Sequence, residues 1–115
     1  MTRQWLADPS QMCMQHLTGE HAETHMFLRK MEKGYSLKGF IDGYMFFGAK
    51  FLKERHDFIA LFLKGHKTPL EIGATEYDNY PEVPITLTGI GVSLSTLLDR
   101  CEDCYNKTYR PRFES

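Results

Sequence analysis

The sequence predicts an all-α fold, in a single compact domain of about three helices. The chain has 115 residues, which is enough for one modest core and too few for two. Glycine and proline are concentrated between three apolar stretches that are each long enough for a helix. The one stretch with strand-like alternation, residues 85–88, has no partner strand, so we expect it to be extended coil.

The first helix is predicted from about Pro9 to Lys33. Asp8 followed by Pro9 is typical of an N-cap and a first helical position, where the missing N–H of proline costs nothing. Gly34 supplies the left-handed residue that ends a helix. Gly19 in the interior costs about 1 kcal/mol of helix propensity relative to alanine. We therefore expect another backbone segment or a ligand to approach the helix closely at Gly19.

Two further helices are predicted, at about 44–64 and about 92–106, joined by a long irregular crossing at 66–89. The second helix has apolar residues on every side, which predicts that it is the most buried of the three. The third has one apolar face, formed by Leu94, Leu97, Leu98 and Cys101.

Composition places the chain among ordinary folded proteins. Hydrophobic residues make up 42% and charged residues 25%, which excludes a disordered chain. No apolar run approaches the roughly 18 residues that a membrane-spanning helix needs, and no secretory leader opens the sequence. Three cysteines argue against a closed disulfide framework and fit a reducing compartment. We expect a cytoplasmic protein, without a membrane partner.

Charge is unevenly distributed along the chain, although the formal net charge is only −1. Residues 29–67 carry nine Lys/Arg against four acids, whereas residues 71–103 carry seven acids against one arginine. Such polarity can present a basic face to phosphates. Solvated helix faces of mixed charge explain it equally well.

The N-terminus offers a nucleophile. Methionine before a small residue is usually removed, which would leave Thr2 as the first residue. A free α-amine has a pKa of about 7.7–8.0, so part of it is uncharged at neutral pH and can attack an electrophilic carbon. Most N-termini are nevertheless frayed and inert.

The first helix carries a polar stripe formed by His16, Glu20 and Glu23. At about 100° per residue, Glu20 lies about 40° from His16 on one side and Glu23 about 20° on the other. Two carboxylates this close raise one pKa, which suits a general acid or base. An exposed face with two solvated glutamates is the alternative.

Two groups of residues have spacings found in zinc sites. His21 and His25 are four residues apart, but no third ligand is evident in the sequence. The pattern Cys13-x-x-His16 together with Cys101-x-x-Cys104 would supply four ligands if the first and third helices meet. Reduced core cysteines are the more common explanation, so we expect no metal and keep zinc as the alternative.

The residues resemble the phage endonuclease V type of pyrimidine-dimer DNA glycosylase with abasic-site lyase activity. Met1-Thr2-Arg3, Gln15-His16-Leu17, Glu20 and Glu23 all fall at that family's distances from the N-terminus without a gap. Residues 51–64 resemble the family's middle helix. The likeness covers most of the chain and is weakest at 66–90 and in the tail, where Tyr105, Tyr109 and Phe113 stand at altered spacing.

The resemblance implies a DNA repair enzyme that needs no cofactor. Thr2 would attack the sugar C1′ of a damaged nucleotide to form an imine, and Glu23 would act as acid and base. The partner would be double-stranded DNA with damaged or modified bases, bound by a monomer. The resemblance implies that Arg3, Gln15 and His16 position phosphate and sugar. Further candidates for binding the substrate are Glu20, His21, His25 and Arg29.

Two positions depart from the family pattern. Ala22 and Met26 occupy places where the phage enzyme has arginines that face the DNA. Loss of two phosphate contacts would weaken binding and reduce its salt dependence. Pyrimidine dimers are the expected substrate, another modified base is the first alternative, and a non-enzymatic zinc-stabilised helical binding module is the second.

Overall fold

The computed structural model describes residues 3–63 and 68–109, and these residues are all-α, as predicted. Within them α1, α3 and α5 are the long helices, and a 3-10 turn at Pro9–Gln11 precedes α1. The tail from residue 110 onward and Thr2 lie outside the described residues. The helices are α1 Met14–Glu32, α2 Lys38–Asp42, α3 Ala49–Ala60, α4 Ala74–Asn79, α5 Leu87–Arg100 and α6 Glu102–Tyr109.

The first helix begins five residues later than predicted. Asp8 does act as a cap, with its carboxylate accepting from the Ser10 N–H at 2.9 Å, but it caps the 3-10 turn. The chain is extended at Met12 and Cys13 before α1 begins. The predicted end is confirmed, since Gly34 follows the helix with φ +74°.

The predicted third helix is two helices. Thr86 caps α5 by accepting the Gly89 N–H at 3.0 Å, so residues 87 and 88 are helical and the prediction of coil was wrong there. Cys101, at φ −132° and ψ 108°, breaks the helix and α6 starts at the next residue. The turn between α5 and α6 brings both thiols of Cys101-x-x-Cys104 toward the start of α1.

The second long helix, α3, is less buried than predicted. Leu52 and Ile59 are fully buried, whereas Leu61 beyond its end is 80% exposed and Phe58 is 46% exposed. The helix starts at Gly48, which has φ +99°. A Cβ at Gly48 would lie 2.5 Å from the Pro81 carbonyl oxygen, so only glycine fits there.

The core consists of two apolar clusters on either side of the α1–α3 contact. One gathers the N-terminal arm (residues 3–8), the start of α1 and the α5–α6 region, and it includes Trp5, Leu17 and Leu97. The other lies at the far end of α1 and includes Phe27 and Phe46.

A buried ion pair joins α1 to α3. The Arg55 guanidinium donates to both carboxylate oxygens of Glu20, at 2.7 and 3.0 Å. It also donates to the Ala7 carbonyl at 2.7 Å and to the Met12 sulfur at 3.2 Å. Both charged side chains are almost fully buried. One side chain therefore holds two helices and the N-terminal arm in register.

The N-terminal arm is hydrogen-bonded into the fold. Gln4 donates its N–H to the Met45 carbonyl at 2.8 Å and accepts from the Phe47 N–H at 3.0 Å. The Leu6 N–H donates to the Ser93 hydroxyl at 2.8 Å. These contacts hold the arm against α5 and the segment between α2 and α3. Among residues 3–63 and 68–109, no helix has the length and apolar character required to cross a bilayer.

We predict that removing one partner of the buried ion pair destabilises the protein strongly. Arg55→Met leaves the Glu20 carboxylate buried and unpaired, which costs about 3–5 kcal/mol. The double variant Arg55→Met/Glu20→Met should lose less than the sum of the two single losses, because no buried charge remains. Urea unfolding of the four proteins measures this.

The exposed pair of Lys38 and Asp42 is the control. Lys38→Met should leave the free energy of unfolding unchanged within error. Additive losses for Arg55 and Glu20 would contradict the coupling between them.

Candidate functional site

A cleft of about 460 Å³ runs along one edge of α1. We call it the α1 cleft. Its walls come from the N-terminal arm, from the first half of α1 and from the α5–α6 junction. The lining residues are Trp5, Gln15, His16, Gly19, Glu20, Glu23, Arg100 and Cys101.

Glu23 is a half-buried carboxylate in the α1 cleft. Its Oε2 accepts the backbone N–H of Arg3 at 3.0 Å. Burial raises the pKa of Glu23, while the hydrogen bond from Arg3 works in the opposite direction. From the sequence we expected a second nearby carboxylate to raise this pKa, but burial is the main cause. A carboxyl with a raised pKa next to a cleft is suited to accept and return a proton.

Arg3 is a buried cation beside the α1 cleft. Its side chain is only 6% exposed and stacks on Trp5, with Cζ 4.0 Å from the ring centroid. Nε and Nη2 are buried without an acceptor among the described residues. Burial lowers the pKa of Arg3, and the nearby charge of Arg100 adds to this effect. Because these nitrogens are buried, Arg3 affects the neighbouring cleft through its positive charge, which favours an anion there.

Gly19 faces open space. A Cβ built on it would meet no atom within 4 Å. The sequence had suggested that a backbone segment or a ligand approaches this glycine, and no described backbone does so. The space next to Gly19 belongs to the α1 cleft. Of the two expected neighbours of Gly19, only a ligand is therefore still possible.

Glu20 turns inward from the polar stripe. Both of its oxygens are bonded to Arg55, and its side chain is fully buried. Burial raises the pKa of Glu20, and the Arg55 guanidinium opposes this rise. Glu20 borders the α1 cleft, but its contacts give it a structural role. Of the three residues in the predicted polar stripe, His16 and Glu23 therefore lie at the cleft, whereas Glu20 lies in the core.

His21 and His25 lie away from the α1 cleft and next to α3. Their rings are 4.7 and 5.0 Å from the ring of His56, which the sequence had not indicated as a third member. Nδ1 of His56 is 2.9 Å from Asp57 Oδ1, and Nε2 is 3.1 Å from the Thr68 carbonyl. Both partners are acceptors, so a metal ion at this cluster would have to compete with them for the nitrogens of His56. Burial lowers the pKa of His25.

The structure does not bring the whole predicted substrate-binding set together. Arg3, Gln15 and His16 are at or beside the α1 cleft with Glu23. His21 and His25 are on the other edge of α1, and the exposed Arg29 lies near His25.

A third cluster unites Cys13, His16, Cys101 and Cys104. Their ligand atoms lie within 4.8 Å of one another, although Cys101 and Cys104 are about ninety positions from Cys13 in the sequence. The cysteines are free thiols rather than a disulfide. Burial lowers the pKa of His16. The four residues have the composition of a Cys₃His zinc site.

Sequence reasoning missed three residues of this region. Trp5 could have been suspected, because it is the single tryptophan and alternates with Arg3 along the arm. Arg55 and Arg100 carry no local signal, since their partners are distant in sequence. Their places depend on tertiary packing alone.

Comparisons with protein-family models, with curated proteins and with solved structures found no match to this chain. The function of the α1 cleft therefore has to be inferred from its own residues.

We predict that Glu23→Gln stabilises the protein at neutral pH. A raised pKa in the folded state means that the charged carboxylate is less favourable folded than unfolded, and glutamine removes that charge. The gain should be complete above the folded pKa and should vanish below the unfolded value of about 4.3, where wild-type Glu23 is also neutral. Thermal unfolding at about pH 7 and about pH 4 measures it.

Glu32→Gln is the matched control, because Glu32 is an exposed glutamate at the end of the same helix. It should change the melting temperature little at either pH. A Glu23→Gln protein that melts below wild type at pH 7 would contradict the burial of this charge.

Proposed function

We propose that this protein is a DNA glycosylase with abasic-site lyase activity, in which the Thr2 α-amine is the nucleophile and Glu23 the acid and base. The observation that carries the proposal is the hydrogen bond from the Arg3 N–H to Glu23 at 3.0 Å. It holds the residue next to Thr2 against a carboxylate with a raised pKa. An amine and a carboxylate are the groups that imine chemistry needs.

The reaction has two stages. The uncharged amine of Thr2 forms a bond to the sugar C1′, and the damaged base leaves with the electrons of its glycosidic bond. Glu23 as a carboxylate stabilises the positive charge that develops on the sugar. Loss of a proton and ring opening give an imine between the amine nitrogen and C1′. Removal of a C2′ proton, supported by Glu23, then expels the 3′ phosphate by β-elimination and cuts the strand.

The other cleft residues supply binding. Arg3 is a buried positive charge beside the α1 cleft, and Arg100 adds a second positive charge in its lining. Together they favour a phosphate there. Gln15 is exposed at the cleft and offers an amide to the sugar or base. The nucleotide would have to leave the base stack to reach Glu23.

The substrate we propose is duplex DNA containing pyrimidine dimers, with another modified base as the alternative. Ala22 and Met26 are both exposed on α1 and carry no charge toward DNA. Their neutrality leaves phosphate binding to fewer cations.

A zinc-stabilised binding module without enzymatic activity is the second candidate, favoured by the Cys13, His16, Cys101 and Cys104 cluster. Zinc and catalysis are compatible, so zinc content alone does not separate the two. If the protein is only a binding module, replacing Glu23 should not change any reaction with DNA.

We predict that borohydride traps a covalent complex between the protein and a duplex containing an abasic site or ultraviolet-induced dimers. On the dimer duplex, Glu23→Gln should slow its formation by about 10²–10⁴-fold, the usual range for loss of a general acid or base. On the abasic duplex, where the base is already lost, the same change should slow strand cleavage instead. Time courses on denaturing gels, with protein that begins at Thr2, measure the rate.

Glu32→Gln should react like wild type, because Glu32 lies outside the α1 cleft. A protein with residues added before Thr2 should form no complex. The proposal would be contradicted if Glu23→Gln left trapping on the dimer duplex unchanged, or if the added residues left trapping unchanged on either duplex. Undamaged DNA and a panel of modified bases identify the substrate.

Gly19→Leu tests whether the α1 cleft is the binding site, as part of the same trapping assay. Leucine is a better helix former than glycine and meets no atom within 4 Å at its Cβ, so the fold should tolerate it. Its side chain would fill the cleft and reduce trapping. Gly91→Leu is the control, since Gly91 is also an open position within a helix but lies outside the α1 cleft.

A further inference from the structure

We propose that Cys13, His16, Cys101 and Cys104 bind one structural zinc ion. The inference is independent of the lyase activity, because it rests on the positions of four ligand atoms. Nδ1 of His16 is 3.3 Å from the Cys13 sulfur and 3.6 Å from the Cys104 sulfur. The Cys13 and Cys101 sulfurs are 3.7 Å apart.

These separations are the edges of a zinc tetrahedron. With Zn–S of about 2.3 Å and Zn–N of about 2.0–2.1 Å, tetrahedral geometry places sulfurs about 3.8 Å apart and sulfur and nitrogen about 3.5 Å apart. The observed 3.3, 3.6 and 3.7 Å agree with these values within a few tenths of an ångström. A disulfide would need the two sulfurs at about 2.05 Å.

Backbone N–H groups point at two of the sulfurs. The Cys13 N–H points to the Cys104 sulfur at 3.1 Å, and the Cys104 N–H to the Cys101 sulfur at 3.5 Å. Such N–H···S contacts orient metal-bound thiolates and offset their charge. On binding zinc the three thiols would release their protons to solvent while the imidazole stays neutral.

The donor set favours zinc in a structural role. Three thiolates and one imidazole suit zinc, and four protein ligands leave no position for water or substrate. Cys13 and Cys104 are buried, so the centre would be closed. The competing cluster of His21, His25 and His56 has no sulfur, and both nitrogens of His56 have other partners.

Zinc here would fasten distant parts of the chain to each other. Cys13 and His16 belong to the start of α1, whereas Cys101 and Cys104 lie at the junction of α5 and α6. The break at Cys101 is what turns its sulfur toward Cys13. Since His16 and Cys101 also line the α1 cleft, the ion would hold one wall of that cleft in place.

The site changes the role of His16. Its Nδ1 would be a metal ligand, and its ring meets Trp5 edge to face at 5.8 Å between centroids. His16 would then be a positioning residue of the cleft wall.

The test measures metal and stability rather than activity. Protein purified without chelator should contain about one zinc ion per chain by elemental analysis. Replacement by cobalt(II) should give the intense visible and near-ultraviolet bands of tetrahedral thiolate coordination. Cys101→Ser should reduce zinc content at least tenfold, and a strong chelator should lower the melting temperature of wild type.

Two further variants keep the test decisive if Cys101→Ser fails to fold. His16→Cys should retain zinc, since four cysteines also form a tetrahedral site. His21→Gln/His25→Gln disables the competing cluster and should leave zinc and the cobalt spectrum unchanged. Absence of zinc together with no cobalt uptake, zinc lost only in the histidine variant, or a disulfide in the native protein would each overturn the proposal.

Discussion

The buried guanidinium of Arg55 is the contact on which the rest of this structure depends. It bonds to both oxygens of Glu20 on α1, to the Ala7 carbonyl in the arm and to the sulfur of Met12. Leaving a buried charge without its partners is costly, so these contacts contribute strongly to the stability of the fold. The ion pair therefore fixes how α1 is rotated against α3 and where the arm enters the fold.

That rotation determines what each edge of α1 presents. With Glu20 directed into the core, Glu23 and Gly19 face the α1 cleft, and His21 and His25 face His56 on the other side. The arm then passes the cleft so that Arg3 meets Glu23. On this account, the ion pair orients the proposed catalytic carboxylate, and the proposed zinc site closes the opposite wall.

Local sequence patterns were sufficient to predict part of this structure. The fold class and the end of α1 at Gly34 could be predicted, because they follow from apolar periodicity and from the backbone freedom of glycine. The break at Cys101 was missed, since apolar residues continue on one face across it. The inward turn of Glu20 was also missed, because its reason is Arg55, thirty-five positions away in the chain. For the candidate site, spacing suggested Glu23 and the Cys₃His group, but burial and the stacking of Arg3 required tertiary structure.

The most direct test of the central claim is to locate the atom that attaches to DNA. Protein that begins at Thr2 would be trapped with borohydride on an abasic duplex, digested with nuclease and protease, and analysed by tandem mass spectrometry. We expect the reduced sugar on the α-amine of the N-terminal peptide, and we expect Glu23→Gln to slow strand cleavage without moving the site of attachment. Attachment to a lysine side chain, or no attachment at all, would contradict it.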